Sequence, residues 1–165
     1  MTNVAIFGAG RIGKIHAGNL ARHPGVSLKY VVDVFPAAAN ELATQHRAKT
    51  ADTETAIGDS SVSAVVIASS TDTHADLILR SAAAGKAIFC EKPVDLDVER
   101  ARKCAGAVSK AGVPCMIGFN RRFDPTFAAL KARLDAGEIG KPEMLIITNE
   151  AGLRPGEMYC QSGRV

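Results

Sequence analysis

The sequence predicts an α/β fold built on a doubly wound parallel sheet. Three observations carry that prediction. Short β-rich runs alternate with longer helical patterns through six rounds of the 165-residue chain. The apolar runs are continuous, as in "AVVIA" at 64–68, rather than alternating with polar residues; strands buried on both faces look like that. The connections are short, which suits repeated β-α-β units.

Each element follows in turn. Val4–Phe7 is a strand, and Ile12 to about Arg22 is a helix. Leu28–Val32 is the second strand, followed by a helix from Pro36 to about Arg47. Pro36 fits the first helical turn, where a missing N–H costs nothing. A weak strand at Lys49–Ala51 and a short helix to Ile57 come next. The strand Ala64–Ala68 leads into a helix from Thr73 to Ala84, with Thr73 and Asp76 resembling a capping box. Then come the strand Ala87–Cys90, a helix from Asp97 to Ala111, and the strand Cys115–Gly118. After Gly118 the pattern changes. Phe123–Ala136 has helical spacing with Gly137 as a stop, Glu143 to Asn149 reads as one more strand, and the last fifteen residues read as loop or disordered tail. The expected division is a first domain over 1–120 and the start of a second, α+β domain over 121–165.

Composition excludes several classes. A net charge of +3, scattered basic residues and no Trp argue against a nucleic-acid partner. No apolar stretch approaches the roughly 20 residues of a membrane helix, and the N-terminal apolar run is too short for a signal peptide. The expectation is a soluble cytoplasmic protein. Cys90, Cys104, Cys115 and Cys160 form no C-x-x-C pair and have no His at metal spacing, so they read as reduced thiols, with Cys90 and Cys115 in the core and no metal site. Sequences such as G-x-S-x-G and H-E-x-x-H are absent.

Gly8-Ala9-Gly10-Arg11-Ile12-Gly13 matches G-x-G-x-x-G. It sits between a strand and a helix, and Asp33 ends the next strand, which is the context a Rossmann dinucleotide site requires. Gly8 allows the tight turn, Gly10 admits a pyrophosphate, and Gly13 lets helix and strand pack closely. The helix N-terminus supplies free N–H groups to the phosphates. The same stretch satisfies most of a P-loop, but Ile15 stands where that motif needs a magnesium-holding hydroxyl. Asp33 would accept hydrogen bonds from ribose hydroxyls and repel a 2′-phosphate, which favours NAD over NADP.

Ligands of open α/β sheets bind outside the carboxyl ends of the strands, and three further loops lie there. "SSTDTH" (69–74) offers Ser69, Ser70 and Thr71 to border a cofactor; His74 either meets a ligand or is a surface histidine. Glu91-Lys92-Pro93 is either a catalytic tip or a solvated charged turn. "GFNRRFDP" (118–125) offers Asn120, Arg121 and Arg122 as anchors, with structural ion pairs as the competing use. His16, His23 and His46 are read as helix-surface residues.

"GAGRIGKIHAGNL", "TDTHADL", "GKAIFCEKPVDLD" and "GFNRRFDP" together resemble the NAD(P)-dependent oxidoreductases of the Gfo/Idh/MocA family, above all its bacterial inositol dehydrogenases. The resemblance spans roughly residues 2–148. It implies oxidation of a ring or sugar hydroxyl by hydride transfer to NAD, with a small-molecule polyol or sugar as substrate. It implies that Gly8, Gly10, Arg11, Ile12, Gly13 and Asp33 bind the dinucleotide and that Ser69, Ser70, Thr71, His74, Glu91, Lys92 and Arg122 border it. Lys92 would be the catalytic residue, pointing at the substrate hydroxyl and assisting proton movement. Ser70 stands where the family usually has proline. The family continues for about as many residues again, contributes an Asp and a His to the site from that part, and pairs through its sheet. No Asp follows Asp135 here and no His follows His74. The expectation is therefore a truncated dehydrogenase, with a homo-oligomer possible only in a full-length form.

Overall fold

The computed structural model describes residues 1–148. They divide into two compact units, one running from Met1 to Asn120 and the other starting at Arg121.

The first unit is a six-stranded sheet. Its strands are β1 (Thr2–Phe7), β2 (Val26–Val32), β3 (Lys49–Thr50), β4 (Val62–Ile67), β5 (Ala87–Cys90) and β6 (Cys115–Ile117), in the order β3-β2-β1-β4-β5-β6. Every pairing is parallel. The connecting helices are α1 (Arg11–Arg22), α2 (Pro36–Gln45), α3 (Thr53–Gly58), α4 (Thr71–Ala83) and α5 (Val98–Ala111). Successive side chains of β1 serve opposite faces, as a strand's period of two demands. Ala5 and Phe7 join Val65, Ile67, Ile78 and Ile88 in one core layer; Val4 and Ile6 join Ala17, Val31 and Leu42 in the other. That double burial is why the strands are continuously apolar.

The strand order reverses between β1 and β4, and four backbone hydrogen bonds align the carboxyl ends across that point. Gly8 N donates to Val32 O, Ala68 N to Phe7 O, Glu91 N to Ile67 O and Gly118 N to Cys90 O, at 2.8, 2.8, 2.9 and 2.8 Å. Each donor is the first residue past its strand. The loops after β1, β4, β5 and β6 therefore leave the sheet side by side.

Near the amino end of β4 Asp59 collects a polar network. Lys29 Nζ donates to its Oδ2 at 2.6 Å and Tyr30 OH to the same oxygen at 3.0 Å, while the Ser61 amide and hydroxyl donate to Oδ1. Buried Lys86 donates to the carbonyls of Asp59 and Val62. This network holds the turn between α3 and β4 against β2.

Several boundaries differ from the sequence expectations. α4 starts at Thr71 with Ser70 as N-cap, so the proposed capping box at Thr73 does not form; the Thr73 amide and hydroxyl both donate to Ser70 O instead. Cys115 lies exposed on edge strand β6, and Cys104 on α5 takes the core position beside Cys90. A 3-10 turn over Asn120–Phe123 spans the boundary between the units and precedes α6 (Pro125–Asp135), whose first turn is capped by Asp124 through Thr126 N and Phe127 N. The expected strand from Glu143 does not form over residues 143–148. No partner strand faces it among the described residues, and a lone apolar strand leaves its backbone groups unpaired. Asn149, Cys160 and the expected tail lie outside the described residues.

Asp59 makes the fold sensitive to acid. The Lys29 hydrogen bond, then those from Ser61, hold its carboxyl well below the ordinary value of 3.8. A depressed carboxylate stabilises the fold fully above its unfolded value, and the contribution is lost as pH falls through the folded one. Asp59→Asn should therefore be less stable than the parent at neutral pH, and the gap should begin to narrow as pH falls below about 3.8 and keep narrowing toward the lower folded value. Denaturant melts of both proteins across that range test this; a gap independent of pH would contradict it.

Candidate functional site

The glycine loop owes its shape to contacts that exclude side chains. Gly8 has φ +101°, a conformation L-residues rarely adopt, and a Cβ there would lie 2.4 Å from Ala68 O. A Cβ on Gly13 would lie 1.9 Å from Gly8 O, so α1 packs directly on the loop. Gly10 is different. A Cβ there would meet nothing within 4 Å, because the space above it is open. Gly10 is also the N-cap of α1, and it provides no side-chain cap; the first turn carries no acidic residue. The leading N–H groups and the positive helix end thus face open space, as a phosphate site requires.

Asp33, just past β2, fixes this loop to its neighbour. Its Oδ2 accepts from Ala9 N at 2.6 Å and its Oδ1 from Phe35 N at 2.8 Å. A carboxylate has about four lone-pair sites, so capacity remains for two ribose hydroxyls. A cleft of about 840 Å³ opens over these groups, lined by Gly8, Gly10, Arg11, Ile12, Asp33, Ser69 and Ser70. It continues between exposed Phe35 and the outer face of α4, reaching Thr53, Leu77 and Arg80. Sequence reasoning missed that extension, which depends on how α3 and α4 flank the cleft.

The other expected site residues lie outside the cleft lining. Gly13 serves helix packing. Thr71 begins α4. His74 is neither a surface residue nor a lining residue: it is buried, with Nδ1 2.7 Å from Pro93 O and Nε2 3.1 Å from Ser69 O. Both neighbours are carbonyl oxygens, which only accept, so in any hydrogen bond made here the imidazole is the donor. His74 thereby joins the loop after β4 to the turn after β5.

That turn begins with Glu91 and exposed Lys92, and the Lys92–Pro93 peptide is cis. Cys90, beneath it, is fully buried; burial pushes its thiol up to about 12, which removes it as a nucleophile. Glu91 Oε1 meets His16 Nε2 at 2.8 Å. His16 is therefore half-buried on the sheet side of α1, not a surface residue, whereas His23 and His46 sit just past the ends of α1 and α2. Arg122 is exposed in the second unit, and Arg121 pairs with Asp124 there at 3.6 Å. Among the described residues, no cluster of His, Cys, Asp and Glu is arranged to hold a metal, and no helix is long and apolar enough to cross a membrane.

A glycine-rich turn, an uncapped helix N-terminus and an acid ending β2, all at a topological switch point, define a dinucleotide-binding domain of the Rossmann class. Comparison with known proteins agrees and goes further. The family model described as "Oxidoreductase family, NAD-binding Rossmann fold", that of Gfo/Idh/MocA, matches residues 2–119, and the chain belongs to this family. NAD is the cofactor that this domain takes. The chain is 49% identical over 158 residues to the inositol 2-dehydrogenase of Rhizobium meliloti strain 1021, covering 94% of this chain and 47% of that protein. It is 39% identical to the scyllo-inositol 2-dehydrogenase (NAD(+)) of Bacillus subtilis strain 168, covering 98% and 48%. The crystal structure of scyllo-inositol dehydrogenase from Lactobacillus casei, with NAD(H) and scyllo-inositol bound, superposes with a TM-score of 0.79 at 30% identity, covering 85% and 42%. The chain thus spans about half the length of the relatives it matches.

The two glycines should separate cleanly. Gly8→Ala should destabilise the fold by about 2 kcal/mol or more. Gly10→Ala should cost less than about 1 kcal/mol, yet fill the phosphate space and weaken NAD binding. Chemical denaturation and NAD titration of both variants check this; equal stability losses would contradict it.

Proposed function

We propose that the cleft serves an NAD-dependent dehydrogenase of cyclic polyols, with inositols as the substrate class. The observation that carries this is the shared edge of the sheet. The hydrogen-bonded row at the strand ends sets the dinucleotide cleft, after β1 and β4, beside the Lys92 turn, after β5. Bound NAD would supply the hydride acceptor. The chain's own residues do the rest. Gly10 and the N-terminus of α1 receive the phosphates, Asp33 takes the ribose hydroxyls, and Ser69 and Ser70 border the cofactor from the β4 side. Lys92, an ammonium donor on a short turn, meets the substrate hydroxyl and helps move its proton. Thr71 and buried His74 lie behind Ser69 and Ser70, and Glu91 adjoins Lys92 in its turn.

The names of the inositol dehydrogenases among its relatives support this substrate class. The unit from Arg121 onward is proposed to open the substrate-binding and dimerisation part. With this reading go a cytoplasmic location, small-molecule rather than nucleic-acid partners, and pairing of longer forms into homo-oligomers.

Titrating the purified chain with NAD, then following NADH formation with myo- and scyllo-inositol, tests the proposal. Saturable NAD binding with polyol-dependent NADH supports it in full. Binding without turnover leaves only a cofactor module and removes the enzyme activity from this chain. Asp33→Ser should weaken NAD about tenfold or more, through loss of charge-assisted hydrogen bonds, and relax the rejection of NADP. An unchanged cofactor preference would remove Asp33 from the ribose site.

A further inference from the structure

His16 and Glu91 are 75 residues apart in sequence, yet Nε2 and Oε1 lie 2.8 Å apart. An ionised carboxylate only accepts, so Nε2 carries the hydrogen and donates it. Each side chain is about one-fifth exposed, at 21%. Several further contacts fix the pair. Phe89 packs against the imidazole edge-to-face, with centroids 5.0 Å apart and planes at 63°. On β6's side, Gly118 leaves room for the carboxylate; a Cβ there would come within 3.2 Å of Glu91 Oε1. The Glu91 amide is held in the strand-end row by Ile67 O. Its other carboxylate oxygen, Oε2, accepts from Lys92 N at 3.3 Å. One carboxylate thus takes a hydrogen from α1 and another from the backbone of Lys92.

An apolar pair would fill this space at lower desolvation cost than an imidazole and a carboxylate. What the polar pair adds is direction. It connects the helix whose N-terminus faces the phosphates to the turn that carries Lys92. We propose that His16 is a positioning residue: through Glu91 it orients the Lys92 turn relative to the cofactor helix. Its catalytic consequence rests on the dehydrogenase reading above; the orientation of the turn does not.

The test uses the full chain and three variants. His16→Phe keeps a ring against Phe89 and removes the donor. His16→Gln returns an N–H donor without the ring. Glu91→Ala removes the acceptor. The first readout is the backbone order parameter of the Lys92 amide. It should be near 0.85 in the parent and in His16→Gln, and fall below about 0.6 in His16→Phe. Imidazole nitrogen NMR should show His16 protonated at Nε2 in the parent, with that signal displaced in Glu91→Ala. Where the parent turns over a polyol, His16→Phe should lower kcat more than it raises KM, and His16→Gln should recover kcat.

An unchanged Lys92 order parameter in His16→Phe overturns the proposal. So does equal loosening in His16→Phe and His16→Gln, which would make ring shape rather than the hydrogen bond the cause. Should His16→Phe fail to fold, an unmoved Nε2 signal in Glu91→Ala overturns it alone. A parent that binds no NAD would sink the dehydrogenase reading while leaving both NMR readouts able to judge the link.

Discussion

The site depends on one row of backbone hydrogen bonds. Val32, Phe7, Ile67 and Cys90 each end a strand or nearly so, and each carbonyl accepts from the first residue past a neighbouring strand. The ladder is thereby extended one step beyond the sheet, into the loops. Loops normally lie over a surface with freedom to move. Here their first residues are part of the sheet's own bonding, and the residues proposed to carry the chemistry follow immediately: Ala9 and Gly10 after Gly8, Ser69 after Ala68, Lys92 after Glu91. A rigid scaffold positions reactive groups only as well as the first few bonds leaving it, and these bonds are short.

Three side-chain links then brace the loops against one another. The Asp33 carboxylate joins the glycine loop to the turn after β2. His74 joins the loop after β4 to the turn after β5. His16 and Glu91 join α1 to that same turn. Each brace includes a contact between groups distant in sequence, Asp33 with Ala9, His74 with Pro93 and His16 with Glu91, and that contact forms only in the folded chain. These links are in place before any ligand arrives, while the helix N-terminus stays open. Preorganisation of that kind lowers the ordering cost of binding.

Much of this was legible in the sequence, and the reason is periodicity. Doubly buried strands such as "AVVIA" have a pattern that few other structures share, and the glycine spacing with Asp33 is fixed by the geometry of a strand-turn-helix unit. What was not legible depends on contacts between distant elements. His16 lies on a helix with charged neighbours, and only the arrival of Glu91 over it makes it an inward residue. Cys115 lies in a short apolar run but falls on the sheet edge, while Cys104 turns inward because α5 packs on α4. His74 could not be settled from a helix-start pattern, since its partners are main-chain carbonyls that no sequence motif records. The apolar run from Glu143 has the composition of a strand, but a strand is a relation between two segments, and none of the described residues pairs with it.

The central claim is that the strand-end row and its cleft form an NAD site beside the Lys92 turn. Chemical-shift mapping of the isotopically labelled chain with NAD addresses it most directly, because it reports residue by residue. Amides of Ala9–Ile12, Asp33–Phe35 and Ser69–Ser70 should shift together and saturate at one affinity, with Glu91 and Lys92 shifting for NAD but not for ADP-ribose. Saturating shifts elsewhere in the chain, or none in the glycine loop, would contradict the account.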